Sequence, residues 1–353
     1  MGTVMTERGA APERPAPLGR LVVVAVLLAL TLLATVFVVL AAWDASRDLA
    51  DVREDLDTMA GPALASDLAN GLKDERNYAG AYILGFENAI VLPVDSMDEA
   101  IAATDEALAD FRSHVERQGG DLADAYGQVL GGIDDSLADL RGRVGDVTGE
   151  RGQNLTVVSE PIYAGYATLI EQLLGVGDSM ALAFDDPELR QGTQLRTLAT
   201  AQPDLVGRIA RELVLAGVGP DGSVDTAQEV ATISAGKAEV EANEAEIASL
   251  ATGSYANVGG DQEDGATLSE FLDVVDTSVE GGPVPVAEAL SALGSPTSGL
   301  SEHYAALSDA VETKLADRAD DIEQDAESRR LLWFVLAAVS AAAVAVALVV
   351  PVR

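Results

Sequence analysis

No cysteine occurs among the 353 residues, which excludes disulfides and thiolate metal sites alike. Only two histidines are present, His114 and His303, and their surroundings predict solvated helix faces for both. Lysine is scarce, with three residues; the preference for Ala, Arg, Asp and Gly over Lys fits a GC-rich bacterial coding sequence. Positive charge is scarce altogether. Against 58 acidic residues stand 22 Lys and Arg, for a net charge of -36, which argues against nucleic acid and against adsorption onto anionic lipid headgroups. No P-loop, GxSxG or HExxH is found, and no phosphoacceptor histidine is followed by an ATP-binding region, so this segment carries no enzyme and calls for no cofactor. The acid pairs Asp185-Asp186 and Asp320-Asp321 read as a helix start and a solvated face, not as catalytic dyads. No alternating β-branched run is long enough to form a sheet.

Two long apolar runs are present, one near each end. Leu21 to Trp43 and Leu331 to Val350 contain no charged residue, and each has about the 20 residues a helix needs to cross the hydrocarbon core. Only a helix or a closed barrel satisfies its backbone in lipid, so both runs are predicted as transmembrane helices. The first exceeds the apolar length of a signal peptide and is followed by WDASRD, without a small-residue cleavage site. Arg8, Arg14 and Arg20 against Glu7 and Glu13 place residues 1–20 inside as a short cytoplasmic tail. Two spans return the C-terminal stub, 351–353, to the cytoplasm and leave 44–330 outside as a sensor domain. Trp43, Trp333 and Phe334 then fall near the outer interface, where amphipathic rings are favoured. With Glu7, Glu13, Arg8, Arg14, Arg20 and Arg353 set aside, 56 acids and 18 bases remain, so this domain carries a net charge of -38. Any site for a small anion must therefore be built locally, against the mean field.

The stretch 44–330 is helical in pattern nearly throughout. Apolar stripes run through Met97, Ile101, Leu108, Phe111 and Val115; through Ile162, Tyr166, Leu169, Leu173, Val176 and Met180; and through Leu300, Tyr304, Leu307, Val311, Leu315 and Ile322. Spacings of three, four and seven are those of amphipathic helices. Ser96 and Asp185-Asp186-Pro187 are predicted helix starts. Breaks are predicted at Pro62, Pro93, Gly119-Gly120, Gly149 to Gly152, Gly217 to Gly222, Gly259 to Gly265 and Gly281 to Pro285. The fold class is all-α, an elongated up-and-down helical bundle between two transmembrane helices. Asp44 to Met59 keeps helical character after the first span, and DAESRR leads into the second without Gly or Pro, so both membrane helices are expected to continue outward.

Most arginines in so acidic a chain have a carboxylate three or four residues away. At helical positions Arg76, Arg141, Arg196 and Arg211 do not. Two of these sit in similar segments: GLKDERNYAGAYILG, with Lys73 three residues before Arg76, and LVGRIARELVLAGVG, with Arg208 three residues before Arg211. A guanidinium without a local partner, set beside a second base and small apolar residues, suits capture of a planar oxyanion through its fork of donors. The alternative is that each meets a carboxylate from a neighbouring helix or points into water.

Leu72, Glu75-Arg76 and Tyr82 resemble the L-x-x-E-R-G opening of the nitrate- and nitrite-sensing (NIT) domain family. TDEALADFR (104–112) and YAGYATLIEQLL (163–174) are similar to its next helices, and Ile209 to Gly217 to its later E-R-A-L region, with Arg211 on the arginine. Asn77 replaces the glycine of the first motif, and Ala210 the glutamate of the second. The likeness is clearest over 64–219. It implies an all-helical sensor that binds nitrate or nitrite through arginines, most often as the input region of a dimeric transmembrane histidine kinase. On it, Arg76 and Arg211 are the ligand candidates; Arg196 joins them only through its lack of a local acid. The implied partners are nitrate or nitrite, the lipid bilayer and a second copy of the chain. Two alternatives stay open: the same receptor architecture reading another ligand or a protein partner, and a cell-surface helical scaffold or adhesion protein with no small ligand.

Overall fold

A computed structural model of the chain describes residues 18–84, 96–149, 155–217, 224, 226–258, 265–282, 284–285, 287–289 and 299–349. The expected N-terminal tail (up to residue 17), the stub 351–353 and the break at Pro93 lie outside them. The described residues form helices α1 (Leu18–Leu84), α2 (Met97–Gln118), α3 (Gly120–Gly149), α4 (Leu155–Ala181), α5 (Pro187–Gly217), α6 (Ala227–Leu250), α7 (Gly265–Val279) and α8 (Gly299–Val349). A short 3-10 turn covers Gly253–Tyr255, and no strand occurs among the described residues. The fold is all-α, as predicted.

Helix ends follow local chemistry. The Ser96 hydroxyl accepts the Glu99 backbone N–H at 3.2 Å and starts α2. Asp186 Oδ1 accepts from the backbone N–H groups of Glu188 and Leu189 at 2.9 and 3.0 Å, with Pro187 as first helical residue of α5. Between α2 and α3 the backbone takes φ of 63° and 50° at Gly119 and Gly120, the left-handed region that a Cβ disfavours. Pro62 does not break its helix: α1 passes through it. The N–H lost there is outweighed by packing, since Gly61 and Pro62 are buried, and a Cβ on Gly61 would lie 2.3 Å from Leu122 Cδ1.

The chain divides into two units, Met1–Arg53 with Ile322–Arg353, and Glu54–Asp321. In the first, Arg53 donates to Glu323 and Glu327, both at 2.7 Å, and Ala42, Leu49 and Ala326 are buried. Large apolar side chains such as Leu33, Phe37, Leu331 and Val339 are exposed there. Residues 21–43 lie within α1 and residues 331–349 within α8, and both helices are long and apolar enough to span a membrane.

In the second unit, α1 to α4 share one core. Leu68 and Leu72 from α1, Phe111 from α2, Tyr126 and Ile133 from α3, and Tyr166 and Ile170 from α4 are all nearly or fully excluded from solvent. Each such aliphatic side chain contributes about 1.5–3 kcal/mol by burial. The first two predicted stripes contribute to this core, with Met97, Val176 and Met180 at its partly exposed margin. Helix α5 is buried along most of its length. It packs on α4 and on α6, and Gln202 Nε2 donates to the Val240 carbonyl at 3.0 Å. His114 is not on a solvated face as predicted: it is buried on α2, with Nε2 at 3.2 Å from the Asp57 carbonyl. The predicted stripe of α2 omitted that edge of the helix. His303 is half-buried with its ring against Tyr304.

Candidate functional site

Glu75 and Arg76 are neighbours in sequence and point different ways, because successive helix residues are about 100° apart. Glu75 faces α3 and α4. Fully buried, its carboxylate accepts Arg141 Nε at 2.7 Å and Nη2 at 2.9 Å, and the Tyr166 hydroxyl at 2.6 Å. Arg141 also pairs with Asp105 at 2.9 Å, and its hydrogen bond to Glu75 leads the effects that push its pKa up. This cluster is fully partnered and holds α1, α2, α3 and α4 together.

Arg76 faces α4 and α5 and is 1% exposed. Its Nη1 lies 2.6 Å from Asp204 Oδ1, an ion pair whose angles leave both atoms without an aligned hydrogen bond. Nη2 donates to Asn77 Oδ1 at 3.3 Å, and Nε has no partner. One turn earlier Lys73, also buried, donates to Asn70 Oδ1 at 2.9 Å and to the Thr200 carbonyl. Burial pulls the Lys73 ammonium down to about 8, with Asp204 opposing. Burial would raise Asp204, but Arg76, Lys73 and Arg208 hold its carboxyl below the usual range. For Arg76 burial acts downward, and Asp204 and Tyr163 outweigh it, leaving the guanidinium pKa above its ordinary value.

Arg211 approaches the same place from α5. It is 3% exposed, pairs with Glu160 at 2.7 Å and Glu212 at 2.6 Å, and donates to Ser159 Oγ at 3.3 Å. The two arginines meet at Tyr163 of α4. The Arg76 and Arg211 guanidinium carbons lie 4.3 and 4.4 Å from its ring centroid. Each contact is a cation–π interaction, and the two charges fall within roughly 9 Å of each other, about one screening length. Tyr163 and Arg211 line a groove of about 520 Å³ between α4, α5 and α6, with Arg208, Glu160, Glu212 and Glu239; Arg76 touches the Tyr163 ring but is not among the described lining residues. A larger groove of about 880 Å³, formed mainly by α1, α3 and α4, has Glu54 and Glu171 but neither Lys nor Arg among its described lining residues, a lining that disfavours an anion.

The structure thus brings Arg76 and Arg211 together and leaves Arg196 apart. Arg196 sits on α5 two turns before Asp204, roughly 12 Å along the axis. It pairs with Asp67 of α1 at 3.3 Å and Glu312 of α8 at 3.0 Å. All four arginines without a local acid find carboxylates from other helices, so the absence of an i±3 or i±4 partner marked tertiary ion pairs. Tyr163, Asp204 and Glu212 received no role from sequence. Tyr163 stood inside the YAGYATLIEQLL segment, and Asp204, four residues before Arg208, counted only as one of the local acids beside an arginine.

A family model described as nitrate and nitrite sensing matches residues 67–339, a span that holds every residue of this site. Among solved structures, that of the NasR transcription antiterminator is similar, with a TM-score of 0.60 and 17% identity over 85% of this chain and 83% of that one. At that identity the likeness is one of fold. No curated protein matches the chain.

Proposed function

The chain belongs to the nitrate- and nitrite-sensing family, and we propose that it is the input region of a two-pass membrane receptor that holds the oxyanion at Arg76 and Arg211. The observation that carries this reading is the convergence of two buried guanidiniums, from α1 and α5, on Tyr163, with Arg76 Nε unpartnered. Nitrate is planar and delocalised, and the fork of an arginine matches two of its oxygens. The resting site is occupied by internal anions: Asp204 on Arg76, Glu160 and Glu212 on Arg211. A bound oxyanion takes over part of their role and redistributes contacts between α1, α4 and α5.

Helix α1 carries Lys73 and Arg76 and also the first apolar run, so a shift of α1 against α5 has a covalent route toward the membrane. In this reading Arg196 is a brace, not a ligand group, because it ties α5 to α1 and α8 through Asp67 and Glu312. With both termini cytoplasmic and two copies side by side, the displacement biases a cytoplasmic histidine kinase module between two states. The ligand does so only through its differential affinity for them. Calorimetry of the full chain in detergent with nitrate and nitrite tests the reading. Saturable binding, lost in Arg76→Ala and Arg211→Ala, is expected. A second reading, the same receptor with another ligand, draws on the carboxylates already seated on both arginines. Absence of binding at millimolar nitrate and nitrite selects it.

A further inference from the structure

We propose that Tyr163 is a third ligand-contacting group, its hydroxyl donating a hydrogen bond to the oxyanion held by Arg76 and Arg211. The proposal rests on the nitrate reading above and adds a residue to it. Tyr163 is 7% exposed and its hydroxyl is buried without a hydrogen-bond partner. A buried hydroxyl without a partner is disfavoured and calls for a reason. Other buried tyrosines of this chain have found partners: Tyr166 gives its hydroxyl to Glu75 at 2.6 Å, Tyr304 to Glu244 at 2.5 Å and Tyr255 to the Glu188 carbonyl at 3.0 Å. Both guanidiniums lie against the ring that carries this unused donor, and Arg76 Nε is itself unpartnered. An incoming oxyanion offers the acceptor that this group of donors lacks. Burial pushes the Tyr163 pKa up, so the phenol stays neutral and able to donate. Tyr163 lines the groove and its ring touches Arg76, which does not, so it links the open space to that arginine.

Tyr126 is the internal control. It is 0% exposed and its hydroxyl is likewise unpartnered, but its ring packs on Phe111, with centroids 4.8 Å apart, and no guanidinium lies over it among the described contacts. Tyr163→Phe and Tyr126→Phe each remove one buried hydroxyl and keep the ring, so neither threatens folding.

The experiment is calorimetric titration of sodium nitrate into the full chain and both variants, with melting temperatures measured without nitrate. Tyr163→Phe is expected to weaken nitrate binding about 10- to 100-fold, the range of a hydrogen bond to a charged group, while melting no lower than wild type. Tyr126→Phe is expected to leave affinity unchanged. Wild-type affinity in Tyr163→Phe, with binding lost in Arg76→Ala, overturns the role of the hydroxyl and leaves the arginine site standing. An equal loss in both Phe variants also overturns it, since the effect then belongs to the core at large. Failure of the wild-type chain to bind removes the nitrate reading itself.

Discussion

Replacing Glu75 by Gln tests whether the buried Glu75–Arg141–Tyr166 cluster holds the first four helices together. Glutamine keeps the size of the side chain and can still accept from Tyr166 and from Arg141 Nε. Its amide nitrogen then faces Arg141 Nη2, donor against donor, where a charge-assisted bond of 2.9 Å stood. Removing one partner of a buried ion pair costs about 3–5 kcal/mol, chiefly through the charge left behind. Arg141 is 21% exposed and keeps Asp105 at 2.9 Å, so the low end, about 3 kcal/mol, is the better figure. For a domain of this size that is a fall of roughly 6–12 °C in melting temperature. The assay is thermal loss of far-UV circular dichroism in the full chain, alongside the single variants Glu75→Met and Arg141→Met and the double variant Glu75→Met/Arg141→Met. A buried pair replaced whole by apolar groups loses much less than the sum of the single losses. A drop of less than about 1 kcal/mol in Glu75→Gln, or strict additivity in the double variant, refutes the reasoning.

Three further outcomes are expected. Burial raises the Asp74 carboxyl to about 6, so the folded state keeps a proton that the unfolded chain gives up as pH rises from about 4 to 6. Above that window the ionised group destabilises by up to about 3 kcal/mol; Asp74→Asn should raise the melting temperature at neutral pH and lose the gain near pH 4, and a pH-independent gain contradicts this. Asp204→Asn leaves Arg76 and Lys73 without their buried counter-charge, at a cost of about 3–5 kcal/mol. Saturating nitrate should therefore raise its melting temperature more than that of wild type, and an equal rise counts against Arg76 as a ligand. A Cβ on Gly192 would lie 2.2 Å from Tyr255 Oη and 2.6 Å from Leu315 Cδ2. Gly192→Ala should melt lower, because overpacking of about 1–3 kcal/mol exceeds the roughly 1 kcal/mol gained in helix propensity; a higher melting temperature contradicts the packing described.

Most of the fold was legible because apolar spacing reports burial directly. Leu108, Phe111, Val115, Tyr166 and Leu173 fell on predicted stripes and are core residues. Ser96, Asp186 and the Gly119-Gly120 pair announced helix ends through their own backbone chemistry. Pro62 misled because the neighbours that stabilise the helix through it, among them Leu122, are distant in sequence. At the site, sequence singled out Arg76 and Arg211 through what they lack locally. It had no means of telling a ligand-seeking guanidinium from one paired across helices, since Asp204 lies 128 positions from Arg76 in the chain. Arg196 shows the limit of that criterion, with carboxylates from two other helices on it. Tyr163 was hidden for a different reason: it lies off the predicted stripe of its helix, beside Ile162, and only the folded chain brings both guanidiniums onto its ring.

The most direct test is a crystal structure of the full chain grown in nitrate, compared with one grown in chloride. Planar density within hydrogen-bonding distance of Arg76 and Arg211, with Asp204 displaced from Arg76, is the expected result. Nitrate bound elsewhere, or an Arg76–Asp204 pair unchanged at 2.6 Å under saturating nitrate, contradicts the account.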